Sequence, residues 1–428
     1  MHETHTPRLP PELLGAAFAY LEQPDILRAA AVCALWRGEA HRSSNYYQHI
    51  QYGTHFDWEP PGCRGLPLTA DAKSFALAMQ TAGDDDSIQR LSVAICIAFR
   101  YTIEDHEWFD DLDLRSDSIT KYRSVSHLVR TFIAPSLHKC MGKVHRLDID
   151  AGGSVFKEML PALRQPAPRL TRCRLTARPE FYIDNTVPIS PELFGGHAPL
   201  LADISLYRDV AGDMFGDIVL DTPVPAFAHA VRLSLQAQSV TRLANLPSFF
   251  PSLRHLELVS REYPQAEPQA LAPGDYENLA RPLRTVTLQL RTYHTSLLEI
   301  WEDFIAAMHA VQTLRVDLSG QRGKSFARPL FEHLCDMPGL EVRIHRMQML
   351  RDDQPIYELR LRAAPSNRER TVQGSRDMVS AYVTYLAVVQ ANITELRLPR
   401  EFLDTCRDLI DRLPSPAALH VLRSQGDE

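Results

Sequence analysis

The stretch "LRHLEL" (Leu253–Leu258) reads as an apolar residue, two others, an apolar, one other and an apolar. Its last four residues alternate as a short β-strand does, with Leu256 and Leu258 on one face and His255 and Glu257 on the other. The same spacing recurs in "IQRLSV" (88–93), "VHRLDI" (144–149), "LTRCRL" (170–175), "LADISL" (201–206) and "AVRLSL" (230–235). It continues in "LRTVTL" (283–288), "VQTLRV" (311–316), "MPGLEV" (337–342), "IYELRL" (356–361) and "ITELRL" (393–398). The middle apolar residues follow one another at 19 to 37 residues after a first step of 56. No such strand can bury its apolar face alone, so neighbours recurring at this period are expected to stack into a continuous core.

Most of these steps lie near the period of leucine-rich repeats. Amphipathic stretches fall between the strands. "LLEIWEDFIAAMHAV" (297–311) sets Leu297, Leu298, Trp301, Phe304, Ile305 and Met308 on one face, and "RDMVSAYVTYLAVVQ" (376–390) reads the same way. The asparagine or cysteine that follows the strand in regular leucine-rich repeats is absent. The expectation is therefore an α/β fold whose main body, residues 144–428, is an irregular leucine-rich-repeat solenoid. Residues 51–143 are expected to be a linker and an N-terminal cap or first repeat, with the acidic insertion "IEDHEWFDDLDLRSD" (103–117).

The stretch "LPPELLGAAFAYLEQPDILRAAAVCALWRGEA" (Leu9–Ala40) follows a different rule. Pro10 and Pro11 suit a helix start, where proline's missing donor costs nothing. Leu13, Leu14, Ala17, Phe18 and Leu21 then form an apolar stripe, "EQPD" breaks it, and two further short helices follow. A three-helix module this small is marginal without disulfide, metal or partner, which suggests that part of its apolar surface docks on another protein. "LPPELL", Phe18-x-x-Leu21, "DIL" (25–27) and Val32-Cys33-x-x-Trp36 together resemble an F-box over residues 8–50. Ala17 departs from the family, which usually has a larger aliphatic residue there. The resemblance implies binding of a Skp-type adaptor, and through it a cullin and a RING subunit. Its contacts would come from Leu9, Pro10, Leu13, Leu14, Phe18, Leu27, Val32, Cys33 and Trp36. The three-helix F-box followed by irregular repeats is similar to fungal-type F-box proteins with leucine-rich repeats.

No G-x-S-x-G, H-E-x-x-H, P-loop or dinucleotide-binding glycine pattern occurs, so no catalytic residue, metal site or cofactor is expected. The cluster "DAGGSVF" (150–156) lacks a phosphate-binding lysine and is expected to be a loop. Seven scattered cysteines without a C-x-x-C pair suit reduced thiols, and a net charge of −7 argues against nucleic acid held by bulk charge. No apolar run approaches a membrane span and no signal peptide is legible, so a cytoplasmic or nuclear protein is expected. Arginine recurs on the polar positions of the strands, at Arg172, Arg174, Arg232, Arg315, Arg343, Arg360 and Arg362. These are either halves of cross-strand ion pairs or a substrate surface for an acidic or phosphorylated segment. The function expected is that of a substrate receptor in an SCF-type ubiquitin ligase, not itself an enzyme. Two rivals share the residues: an adaptor-binding interaction protein that never engages cullin, and an enzyme whose pocket the repeat pattern conceals.

Overall fold

In a computed structural model of the chain, the described residues are 10–53, 72–88, 90–97, 125–178, 187–208, 218–220, 222–237, 243, 245–261, 273–291, 295–318, 326–335, 337, 339–347, 355–364, 366–388, 393–411, 413 and 419–422. They fall into two compact units, Met1–Ala230 and Val231–Glu428. Leu9, the acidic insertion and the side chains of Leu297 and Leu298 lie outside the described residues.

The first unit opens with helices α1 (Pro11–Phe18), α2 (Gln23–Ala30) and α3 (Ala34–Arg42). Strand β1 (His49–Gly53), helix α4 (Ala72–Asp84) and strand β2 (Leu91–Ile97) follow, then β3 (Val144–Gly152), β4 (Arg172–Arg178), β5 (Val187–Pro188), β6 (Asp203–Arg208) and β7 (Ile218–Val219). β1, β2, β3, β4 and β6 pair in that order, all parallel, while β5 and β7 form a separate two-stranded pair. The parallel course fits the crossovers between these strands, which are long enough for helical segments. Leu91, Leu147, Cys173 and Ile204, the middle residues of the strand motif here, are all buried. Full burial of a Leu or Ile side chain is worth roughly 1.5–3 kcal/mol, which sets the face that each strand turns inward. Lys143 closes the end of α4 by donating to the carbonyls of Gly83 (2.7 Å) and Asp85 (3.0 Å), a cation placed where the helix dipole favours one. The glycine cluster is not a loop. Its first residues end β3, and Gly153–Met159 is a helix whose Val155 and Phe156 are buried.

The second unit contains β8 (Arg232–Ala237), β9 (His255–Arg261), β10 (Thr285–Arg291), β11 (Thr313–Asp317), β12 (Leu340–Met347), β13 (Ile356–Ala363), β14 (Arg368–Gly374), β15 (Ile393–Pro399) and β16 (Leu419–Leu422). The two amphipathic stretches are helices here, Thr295–Ala307 and Arg376–Val388, the latter burying Val379, Tyr382, Val383 and Leu386. The strand order is β8-β9-β10-β11-β14-β13-β12-β15-β16, and β13 runs antiparallel to both β12 and β14. This corrects the solenoid expectation. The step of 19 residues between Leu340 and Leu359 leaves only residues 348–355 to connect β12 with β13. A parallel crossover needs a dozen or more residues, so the chain returns antiparallel. Four residues, 364–367, then turn β13 into β14, with Asn367 in the left-handed region at φ 52°. The result is a mixed open sheet in place of single coils repeated in chain order.

β14 carries no apolar motif because a charged residue sits on its core face. Arg370 stands in the row Leu314–Arg370–Leu361 and is only 2% exposed. Its guanidinium donates to the carbonyls of His309 (2.9 Å), Glu369 (2.9 Å) and Val311 (3.0 Å), at the end of the helical segment closed by Met308–Ala310. Burial, with Arg368 nearby, brings its pKa down to about 10, so it stays charged at neutral pH.

Candidate functional site

Residues 10–47 form the small helical module that the sequence anticipates. Pro10 precedes α1 in an extended conformation and Pro11 occupies its first turn. Leu14 and Phe18 are buried against Ile26, Ala29, Ala30 and Ala40, with Leu21, Trp36 and Tyr46 packed on that cluster. Phe18 meets Trp36 edge to face, at 5.9 Å between ring centroids. Gln23 is buried between α2 and the start of β1, where its Nε2 donates to the carbonyls of Tyr46 and His49, both at 2.7 Å. The amide of Ser92 on β2 donates to Gln48 at 2.8 Å. Hydrogen bonds from Gln23 and to Gln48 therefore tie the module to the first sheet.

Eight of the nine anticipated adaptor residues are described, and they divide by burial. Leu14 and Phe18 belong to the core of the module, Leu27 and Trp36 are half-buried, and Pro10, Leu13, Val32 and Cys33 are exposed. Leu13 is 57% exposed and Val32 64%, and Leu35, which the motif reading missed, is 42% exposed. On α3, Leu35 lies off the face that carries half-buried Trp36 and buried Ala40, and that displacement was the available signal. On α1 a second stripe, Leu13, Ala16, Ala17 and, just beyond its end, Tyr20, faces solvent at i, i+3, i+4 and i+7. Apolar surface on both sides of an eight-residue helix exceeds what the module needs for its own core.

Cys33 is exposed, whereas Cys96, Cys140, Cys173 and Cys406 are buried. Burial raises the Cys140 thiol to about 11, that of Cys406 to about 12 and that of Cys173 well above its ordinary value, which leaves them unreactive.

The anticipated arginines separate between the two units. In the first, Arg172 pairs with Asp203 at 3.6 Å and Arg174 lies over the Tyr207 ring at 5.2 Å. Around them are the charge pairs Arg146–Asp148 (2.7 Å) and Arg178–Asp150 (2.5 Å), with both carboxylates buried. His49 and His145 flank Arg146. Burial lowers the pKa of both; Arg146 and His145 add to this at His49, and Arg90 and Arg146 at His145. In the second unit, Arg315, Arg360 and Arg343 stand at one level across the strands, joined by Arg397, while Arg362 lies one level away and Arg232 is exposed on β8. Among the described residues no group of three His, Cys, Asp or Glu side chains is placed to hold a metal ion, and no helix is long and apolar enough to cross a membrane.

Residues 6–51 match the family model described as F-box-like, so the chain carries an F-box-like domain over about a tenth of its length. Domains of this family act in protein–protein interaction and bind Skp-type adaptors. No curated protein matches the chain.

Proposed function

We propose that this chain is the substrate-receptor subunit of an SCF-type cullin–RING ubiquitin ligase, acting in the cytoplasm or nucleus and not itself an enzyme. The observation that carries the reading is the F-box-like module with Leu13, Val32 and Leu35 turned to solvent. Fully burying side chains of this kind against a partner contributes roughly 1.5–3 kcal/mol each. The adaptor is the occupant that the family match favours. The sheets that follow are the part left to hold a substrate, and bringing it near a charged conjugating enzyme raises its effective concentration there. The irregular repeat spacing favours kinship with fungal-type F-box proteins.

The test is co-expression with a Skp-type adaptor, followed by sizing chromatography and a pull-down for cullin. The native chain is expected to co-elute at 1:1 with the adaptor. Leu13→Asp/Val32→Asp, both at exposed positions, is expected to lose the complex without losing the fold. Alkylation of Cys33 should slow in the complex. A folded native chain that never co-elutes with the adaptor rules out the reading, and co-elution without cullin reduces it to an adaptor-binding interaction protein.

A further inference from the structure

Three strands of the second unit carry the same triplet, Glu-x-Arg: Glu341–Arg343 on β12, Glu358–Arg360 on β13 and Glu395–Arg397 on β15. Strand pairing brings the arginines of all three to one level, with Arg343 directly opposite Arg360 on one side and Arg397 on the other. The row continues through Thr371 of β14 to Arg315 of β11, and on the other flank to His420 of β16. Like charges directly opposite one another destabilise a sheet, so a row of this kind works against the fold that carries it.

The glutamates offset that cost and also orient the arginines. Arg343 pairs with Glu341 (3.1 Å), Arg360 with Glu358 (3.1 Å) and Glu369 (3.5 Å), Arg315 with Glu358 (3.4 Å), and Arg397 with Glu395. The two signs are sorted by depth. The side chains of Arg315, Arg343, Arg360 and Arg397 are 39, 31, 40 and 38% exposed, against 9, 22, 23 and 26% for Glu358, Glu341, Glu395 and Glu369. Formal charge on this face is close to balanced, yet its outermost layer is guanidinium. Each guanidinium has five N–H donors and spends only some of them on its glutamate, so forks remain for a second carboxylate.

We propose that this arginine row binds an extended acidic segment of a protein substrate, laid across the strands. The proposal rests on the reading of the sheet as the substrate-holding part of the receptor. From β11 to β16 the row spans five inter-strand steps, roughly 24 Å, which an extended peptide covers in about seven residues.

The test uses the full chain alone, so it does not depend on adaptor binding. The probe is a fluorophore-labelled octaglutamate peptide, followed by anisotropy at about 50 and about 150 mM salt. The native chain is expected to bind it, more weakly at the higher salt. Arg343→Glu/Arg397→Glu should lose at least about tenfold in affinity, whereas Arg407→Glu, an exposed arginine outside the row, should leave it unchanged. Arg343→Lys/Arg397→Lys should lose less, because charge is kept and the fork is not. If the charge reversal unfolds the chain, Arg343→Gln/Arg397→Gln carries the same comparison. The proposal is overturned by a native chain that ignores the peptide, by a folded reversal variant that binds as the native chain does, or by an oligothymidylate of equal charge that binds at least as well. Failure of the adaptor reading would appear separately, as a native chain that binds peptide but does not co-elute with adaptor.

Discussion

The charge pairs Arg146–Asp148 and Arg178–Asp150 of β3 and β4 are sunk, whereas on β12, β13 and β15, as at Arg172 of β4, the arginines stand up. Asp148 and Asp150 are buried, and the arginines that neutralise them, Arg146 and Arg178, are themselves mostly covered. In the second unit the carboxylates lie low in the same way, but their arginines reach solvent. Both faces come from one strand motif, with polar residues alternating against a leucine core. What differs is the depth of the guanidinium. A sunk pair serves the fold, because losing one partner strands a charge away from water. A raised one leaves donors for something else.

If depth governs these charges, stability should follow depth when they are removed one at a time. The largest loss is expected from Arg370→Met, about 4 kcal/mol, because the carbonyls of His309, Val311 and Glu369 lose a buried charged donor. Asp148→Ala should follow at about 3 kcal/mol, since the pair it makes with Arg146 is buried or mostly covered on both sides. Arg343→Ala should cost under about 1 kcal/mol, as a half-exposed pair does. Urea titration of the full chain by circular dichroism reads all three, and a raised-face variant as damaging as Asp148→Ala would break the comparison.

The smallest expected effect is on pH dependence. His49 and His145 have folded pKa values below 6.5, so the unfolded chain takes up protons first as pH falls. Their contribution is complete above 6.5 and is lost as pH falls from there toward the folded values. The first unit should therefore weaken as pH falls below about 6.5, and His49→Gln/His145→Gln should flatten that slope. His255, lowered by burial and by Arg232 and Arg284, is a single group in the second unit, so His255→Gln should flatten it less. Equal slopes in the native chain and the double variant would show that other groups set the dependence.

The strands were legible because their signal is local. Leu91, Leu147, Cys173, Ile204, Leu233, Leu256, Val286, Leu314, Leu340, Leu359 and Leu396 all lie on strands, and all are buried. Period-two alternation needs only neighbours in sequence. β14 was not legible, because its core-facing residue at the level of Leu314 is Arg370 and the partners of that residue are backbone carbonyls some sixty residues earlier. The order of pairing was hidden as well, and with it the arginine row: Arg343 and Arg360 are neighbours only because a short connection forces β13 to turn back. In the helical module the helices could be read from prolines and stripes. Which of Leu13 and Leu14 faces outward is a matter of helical phase that the motif does not fix.

The entry of the F-box-like segment into β1 has a practical consequence for dissecting the molecule. The family match runs to residue 51, inside β1, where Ile50 and Tyr52 are buried and the strand pairs with β2. A fragment trimmed to the match would carry half a strand with no neighbour. The remainder would begin on a freshly bared edge at β2, open to pairing with any strand that meets it. Domain swaps should therefore cut outside the first sheet, since the F-box-like module is stitched into the strands that follow it.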